Sequence, residues 1–322
     1  MESLRNLLRT GLARLWSGSP LLTSAGLVMI GVLAASIIGL LVDPRVITGA
    51  PAWLKPAKFA VSTAIYMLTL AWIFTLLAQW HRTRRVVGWV TAVILVLEVA
   101  IIDTQGWRGT TSHFNVGTVL DTVLFGIMGS AIALQTLTSV AVAVALWRQH
   151  FDDRALGWAL RFGMVITIIG ASTGGFMTRP TAAQLEEARA TGRMVVAGAH
   201  TVGAPDGGPG LPGTNWSLQH GDVRVPHFIG LHAMQVLPLL ALALGRRRAA
   251  ETARVRVILV AAASYATLFA ILLWQALRGQ SLVQPDGATI GALVVWAILT
   301  ALGTWFAATR RATTRNQAIA IA

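Results

Sequence analysis

The chain has 322 residues, of which 55% are hydrophobic and 12% are charged, and its mean hydropathy is +0.64. It contains no cysteine, which excludes disulfides, thiolate metal sites and cysteine nucleophiles. A net charge of +13 would favour a nucleic-acid partner in a soluble protein. Here the long apolar runs instead predict an all-α, polytopic integral membrane protein whose partner is the lipid bilayer, with no nucleic-acid partner.

In chain order, the first predicted element is an amphipathic helix over residues 1–16, with leucines on one stripe and arginines elsewhere. This pattern predicts a helix lying on the inner leaflet, and a solvated helix start is the alternative. Eight apolar runs follow, each about 20 residues long and therefore able to cross the membrane. The predicted transmembrane helices cover residues 20–42, 58–80, 86–104, 119–147, 156–177, 227–245, 255–277 and 288–308.

Lysine and arginine are concentrated in alternate loops, most clearly in "HRTRR" (81–85) and "GRRRAAETARVR" (245–256). Because loops rich in these residues stay in the cytoplasm, the pattern predicts that both termini are cytoplasmic. The protein is thus predicted to be a multi-pass protein of the cell membrane.

A repeated phrase indicates an internal duplication. "QGWRGTTS" (105–112) and "QALRGQS" (275–281) close the third and seventh runs, while "KPAKF" (55–59) and "RVPHF" (224–228) stand near the start of the second and sixth. Two parallel four-helix repeats, related by an axis along the membrane normal, would explain this spacing. The alternative is that Arg and Gly simply end each helix, as they commonly do.

The repeat predicts two units, residues 1–150 with the N-terminal interfacial helix and residues 151–322 with an outer-loop insertion at about 178–226. This insertion contains a candidate short helix, "TAAQLEEARATGRMVV" (181–196), followed by a segment rich in Gly and Pro. Loops of this length often serve as lids or binding elements, and a flexible insertion is the alternative.

Polar residues concentrate in the outer half of the predicted helices. Ionisable groups within a membrane span are costly and usually serve a function, which makes three of them candidate catalytic residues: His232, Glu98 and Asp121. Gln235 shares a helix face with His232 because three residues separate them. We expect these four side chains to converge in one outward-open pocket.

Further residues at the same level are candidates for holding a ligand or a cofactor. Arg108 and Arg278 are expected at the rim of the pocket, where they would bind an anionic group. Histidines could ligate a divalent metal or haem b. The candidate ligand-binding residues are Arg108, Arg278, Gln105, Gln275, Gln235 and Lys58, and the candidate metal or haem ligands are His232, His113 and His227.

These features favour a membrane-embedded enzyme, or a redox or cofactor-binding protein, with an outward-facing site. Two other functions stay open: a transporter or receptor for a small anion or lipid, and an accessory subunit whose polar residues join helices. The sequence does not name a substrate or an oligomeric state.

Overall fold

A computed structural model of the chain describes residues 2–247 and 249–309. Helices dominate these residues, and the two β-hairpins have strands of two residues each, so the protein belongs to the all-α class. The elements are α1 (Glu2–Gly18), α2 (Pro20–Val42), β1 (Val46–Ile47), β2 (Ala50–Pro51), α3 (Leu54–Leu76), α4 (His81–Trp107), α5 (Val119–Arg148), α6 (Arg154–Ser172), α7 (Gly174–Met177), α8 (Ala182–Thr191), β3 (Thr201–Val202), β4 (Gly221–Asp222), α9 (Arg224–Leu231), α10 (Ala233–Gly245), α11 (Glu251–Leu277) and α12 (Gly287–Thr309).

Within the described ranges, seven helices are long and apolar enough to cross a membrane. An eighth crossing results if α9 and α10, which are bent by 42° relative to each other, count as one broken span. The protein is therefore a polytopic membrane protein, as its composition predicts.

Two boundaries differ from the sequence expectation. The second span was expected at 58–80, whereas α3 begins and ends four residues earlier. Pro56 fits this start, because the first turn of a helix needs no backbone N–H at that position. The basic segment 81–85, expected to be a loop, forms the first turn of α4. There Arg84 donates a 2.7 Å hydrogen bond to the carbonyl of Gly18, which stabilises this turn. The helix therefore begins before the apolar residues of the span.

The sixth span was expected to be one continuous helix over residues 227–245. It instead breaks at His232, which separates α9 from α10. Near the break, Gly230 packs against Gly170 of α6 so closely that a Cβ added at Gly170 would lie 2.5 Å from the Gly230 Cα. The two backbones therefore cross where neither residue has a side chain.

The helices pack as two groups that share a boundary. One buried apolar cluster joins α2, α3, α4 and α5 and also includes Met164 of α6 and Met234 of α10. A second cluster joins α6, α10 and α11. The outward faces stay apolar, as in α12, where Leu299 is 63% exposed and Trp305 is 60% exposed. A lipid environment accounts for these exposed apolar faces, which water would not favour.

The N-terminal segment is helical, as expected. α1 packs on α2 and α3, and its last residue, Gly18, lies directly against the carbonyl of Ala71. Leu12 and Trp16 are exposed, which leaves an apolar stripe available to lipid.

We expect Gly170→Ala to lower stability by about 1–3 kcal/mol, because the new methyl group overlaps the backbone of Gly230. Thermal unfolding of the detergent-solubilised protein measures this effect. Gly129→Ala is the matched control, because a Cβ there meets nothing within 4 Å. Equal melting temperatures for the two variants would contradict the close crossing.

Candidate functional site

Four connecting segments gather at one end of the bundle, which we call the capped face: residues 43–53, 108–118, 178–223 and 278–286. Residues 178–223 form the cap over this end. Lys58 of α3 donates a 2.7 Å hydrogen bond to the carbonyl of Thr214 in the cap, and Ser281 donates a 3.3 Å bond to the carbonyl of Ser217. The cap therefore contacts both groups of helices.

The cap has a defined fold of its own. Its helix α8 begins with a capping box formed by Thr181 and Gln184 and ends at Gly192, which has a φ of 69°. The short helix expected here is thus confirmed, with ten residues. β3 pairs with β4, and Asn115 of the neighbouring loop forms a β-bridge with Val196. The long insertion is folded onto the rest of the protein, and whether it opens as a lid stays a prediction.

A chain of three ionisable side chains lies beneath the cap. Lys55 Nζ lies 3.0 Å from His113 Nδ1, and His113 Nε2 lies 3.4 Å from Glu98 Oε1. Ser112 Oγ is also 3.1 Å from His113 Nδ1. Glu98 is 3% exposed, and its second oxygen has no hydrogen-bond partner among the described residues. The carboxylate is therefore held on one side only.

The surroundings of His113 fix its protonation. Burial lowers the pKa of His113 well below its usual range, and its electrostatic interactions with Lys55, His200 and His227 lower it further. When Lys55 is protonated it can only donate to Nδ1, so the neutral ring then carries its proton on Nε2, facing Glu98. The arrangement is therefore an ordered chain in which a proton can pass between carboxylate, imidazole and amine.

Aromatic rings surround this chain. The ring of His113 lies 5.6 Å from that of Phe59, 6.0 Å from that of Phe114 and 6.4 Å from that of Phe125. The Phe114 backbone has a φ of 64°, an uncommon value for a residue with a side chain. Such rings exclude water from the imidazole and strengthen its electrostatic contacts.

A second ionisable pair lies in the cap. His200 Nδ1 is 2.6 Å from Asp206 Oδ2, and the His200 ring lies 4.8 Å from that of Phe114. Burial lowers the pKa of His200, and its bond to Asp206 reverses only part of this shift. Burial alone would raise the pKa of Asp206, but hydrogen bonds from His200 and Thr201 lower it well below its usual range. His200 thus donates from Nδ1 to an ionised Asp206.

Asp121 occupies a different network. Gln105 donates to it at 2.8 Å, Arg108 at 2.7 Å and the Thr118 hydroxyl at 2.6 Å. Asp121 lies in the first turn of α5, whose N-cap is Thr118. Three side chains thus hold Asp121 beside the N-terminus of α5, where a negative charge is favourable, and its catalytic role stays a prediction.

The second copy of the phrase is arranged in the same way. Gln275 donates a 2.8 Å bond to the carbonyl of Ser281, just as Gln105 donates to the carbonyl of Thr111 at 3.3 Å. Arg278 pairs with Asp286 at the start of α12. Both arginines are thus paired with carboxylates at the rim of the capped face.

The three predicted metal or haem ligands lie in separate surroundings. His113 belongs to the chain with Glu98, His227 Nδ1 lies 2.8 Å from the carbonyl of Gly170, and His232 packs on the ring of Phe228 at 4.3 Å. No group of three or more His, Asp and Glu side chains within residues 2–247 and 249–309 could hold a metal ion. These histidines therefore do not form the expected metal site, and haem ligation stays a prediction.

The four residues expected to converge do not form one hydrogen-bonded cluster among the described residues. His232 interacts with Gln235, but no hydrogen bond or ion pair of the described chain joins either of them to Glu98 or Asp121. Gln235 instead donates a 3.3 Å bond to Thr69 of α3. The sixth span bends by 42° at His232, so this residue does not lie where a straight helix would place it.

Sequence reasoning missed Lys55, His200 and Asp206 as members of a site. Lys55 precedes the expected span of residues 58–80, so depth along a span does not mark it, whereas the structure places it in the first turn of α3. His200 and Asp206 are six residues apart in a loop, and only the cap fold brings them to the site.

No protein-family model, curated protein or solved structure matches the chain. The function must therefore be inferred from the geometry of the capped face.

Acid should destabilise the protein. His113 and His200 have a pKa below 6.5, the ordinary value, when folded. As the pH falls below 6.5, the unfolded chain binds protons that the folded protein does not, so stability falls by up to about 1.4 kcal/mol per pH unit for each histidine. We expect the melting temperature to fall between pH 7 and pH 5, and to fall less steeply for His200→Gln. Equal slopes, or a rise on acidification, would contradict the assignment.

Proposed function

We propose that the protein is a membrane-embedded enzyme that carries out acid–base chemistry at the capped face, on a lipid or small molecule with an anionic group. The observation that supports this is the chain of Lys55, His113 and Glu98, in which Glu98 is buried and the other two are half-buried. Removing ionisable groups from water at the end of a membrane span costs stability, and such costs usually reflect function.

Glu98 acts as the general base or acid in this scheme. Its second oxygen has no protein partner, which leaves it free to receive a proton from a substrate. His113 accepts hydrogen bonding from Lys55 at Nδ1 and holds its Nε2 proton towards Glu98, so the imidazole orients the carboxylate and can exchange a proton with it. Glu98 then returns this proton to the product, and Lys55 and His113 can supply a proton to Glu98 when it is ionised, because the Nε2 proton faces the carboxylate.

Positive charge near this chain would attract an anion. Lys58, one turn from Lys55, points into the cap, where its one hydrogen bond is to the carbonyl of Thr214. A phosphate or carboxylate could replace that carbonyl as the partner of the ammonium group. Arg108 and Arg278 are committed to Asp121 and Asp286 and serve as supports of the rim in this proposal.

A transporter is the second candidate, and the break at His232 favours it. Transporters commonly interrupt a span beside their binding site. If this applies here, His232 and Gln235 would contact the transported molecule. Uptake of an unmodified anion by vesicles containing the purified protein would favour this alternative over catalysis.

We infer that residues 1–150 and 151–322 are two parallel repeats. The shared loop supports this: Gln105 and Gln275 each donate to a carbonyl six residues onward, and Gly109 and Gly279 have φ values of 75° and 73°. The two segments before α3 and α9 also correspond, as β-hairpins of which the second carries the long insertion of the cap. Catalytic groups differ between the copies, so the proposed site is asymmetric.

Glu98→Gln tests the proposed enzyme. We expect cells expressing the wild-type protein to show a changed level of one lipid or anionic metabolite by mass spectrometry, and Glu98→Gln to reduce that change by about 100-fold or more, since general bases contribute on this scale. Asp152→Asn, an exposed carboxylate at the opposite end of the bundle, is the control and should retain the wild-type effect. Full activity in Glu98→Gln would overturn the proposal.

Charge distribution supports placing the capped face outside the cell, with both termini in the cytoplasm. A cysteine introduced in place of Pro205, in the cap, should react with a membrane-impermeant maleimide in intact cells. A cysteine in place of Ala249, at the opposite end, should react only after permeabilisation. The native chain has no cysteine and gives no background. The reverse labelling pattern would show the opposite orientation.

A further inference from the structure

Polar side chains continue from the capped face into the middle of the bundle. On α3, Lys55, Ser62, Tyr66 and Thr69 lie on one face, because their spacings of seven, four and three residues return to the same side of a helix. Tyr66 lies about 18 Å along the helix from Leu54, which is deep within a membrane span. The proposed acid–base site is therefore continuous with a polar face that leads inward.

Two neighbouring helices face this polar side with matching residues. On α5, Gln135 donates a 3.3 Å hydrogen bond to the Tyr66 hydroxyl, which also lies 3.1 Å from the Ser139 hydroxyl. On α10, Gln235 donates a 3.3 Å bond to Thr69, one turn further along α3. The two glutamines thus flank a single turn of α3 and form, with Tyr66, Thr69 and Ser139, a layer that we call the amide layer.

The amide layer leaves hydrogen-bonding capacity unused by the protein. The Oε1 atoms of Gln135 and Gln235 are both buried and make no well-aligned hydrogen bond in the described residues, and the side chain nearest to the second is that of His232. Exchanging the oxygen and nitrogen of Gln135 would not help, because the nitrogen would then be the buried atom without a partner. On α4, the buried hydroxyl of Thr91 also lacks a partner, seven residues from Glu98 on the same face.

Such atoms need partners from outside the chain. Buried polar groups in proteins are almost always hydrogen-bonded, and water supplies the bond where protein does not. Lipid tails offer no donors, so water can reach this depth only through the protein. The polar face of α3 runs from the amide layer towards the capped face and is the candidate for such a path.

We propose that the amide layer is hydrated, and that water bound to Gln135 and Gln235 continues along α3 to Glu98 as a route for protons into the middle of the membrane. The hydration follows from the unpartnered amides alone. Its use, to exchange protons with the acid–base site, rests on the proposed function. Protons would move along hydrogen-bonded water and the hydroxyls of Tyr66 and Ser139, with no other reactant required.

Cysteine accessibility tests this water path, because methanethiosulfonate reagents modify the ionised thiolate and a thiol in a dry interior stays protonated. The protein with Ser139→Cys is placed in vesicles and treated from the capped side with a small cationic methanethiosulfonate. Ser36→Cys is the matched control, since Ser36 is also buried and bonds only to the carbonyl of Val32. Ser36 lies nearer the capped end of α2 than Ser139 does to that of α5, so depth alone would favour the control.

We expect Ser139→Cys to react about tenfold faster than Ser36→Cys, and Gln135→Met to slow the reaction when combined with Ser139→Cys, because water then loses the amide. Equal rates for the two cysteines, or an unchanged rate after Gln135→Met, would overturn the proposal. If Ser139→Cys fails to fold, Thr69→Cys replaces it, with Thr23→Cys as its control; both threonines bond to the carbonyl four residues before them.

The labelling result is independent of the enzyme test. Fast labelling together with full activity in Glu98→Gln would retain the water path and reject the proposed function. Slow labelling together with an inactive Glu98→Gln would reject the water path and retain the proposed function.

Discussion

Every polar group within a membrane span must find its partner inside the protein, and this constraint organises the molecule. Asp121, at the capped face, meets it in full, because it receives bonds from Gln105, Arg108 and Thr118. Other side chains meet it only in part, because Glu98, Asp103 and Gln135 each keep a buried oxygen without a hydrogen-bond partner in the described residues. Because Asp121 is fully hydrogen-bonded, the side chains that keep an unpartnered oxygen are the expected contacts for a ligand, for water or for a proton.

The cap makes the Glu98 site possible. Without it, Lys55 and His113 would face water at the end of the bundle, where a solvated pair has little effect on the pKa of either group. With it, Phe114 lies between the rings of His113 and His200, and the pKa of His113 is lowered by burial. In the proposed function, the cap is thus the segment that removes His113 from water.

Most of the fold could be predicted from the sequence, because apolar runs determine membrane spans directly. The exceptions are local: the start of α3 depends on Lys55 and Pro56 being inside a helix, and the break at His232 depends on the contact between Gly170 and Gly230. Neither feature changes hydropathy, so neither is visible in a pattern of apolar residues.

The site was harder to predict than the fold. Depth along each helix correctly marks Glu98 as buried, but depth does not say which side chains face each other. Asp121 is buried to a similar extent, but it lies in the first turn of α5, next to the N-cap residue Thr118. His113, in contrast, lies in a loop and contacts Glu98. Pairings of this kind depend on the rotation of each helix and on the course of loops, which a single sequence does not encode in its spacing.

Two of the hydrogen bonds that hold the cap have a mechanical consequence, because they join it to different groups of helices. Lys58 ties it to α3, and Ser281 ties it to the loop between α11 and α12, on the other group of helices. The cap therefore connects the two groups of helices. A tilt of one group relative to the other would lengthen or break at least one of these two hydrogen bonds. A tilt of the helices is therefore expected to change access beneath the cap. A molecule bound at Lys58 would in turn change how the two groups of helices pack.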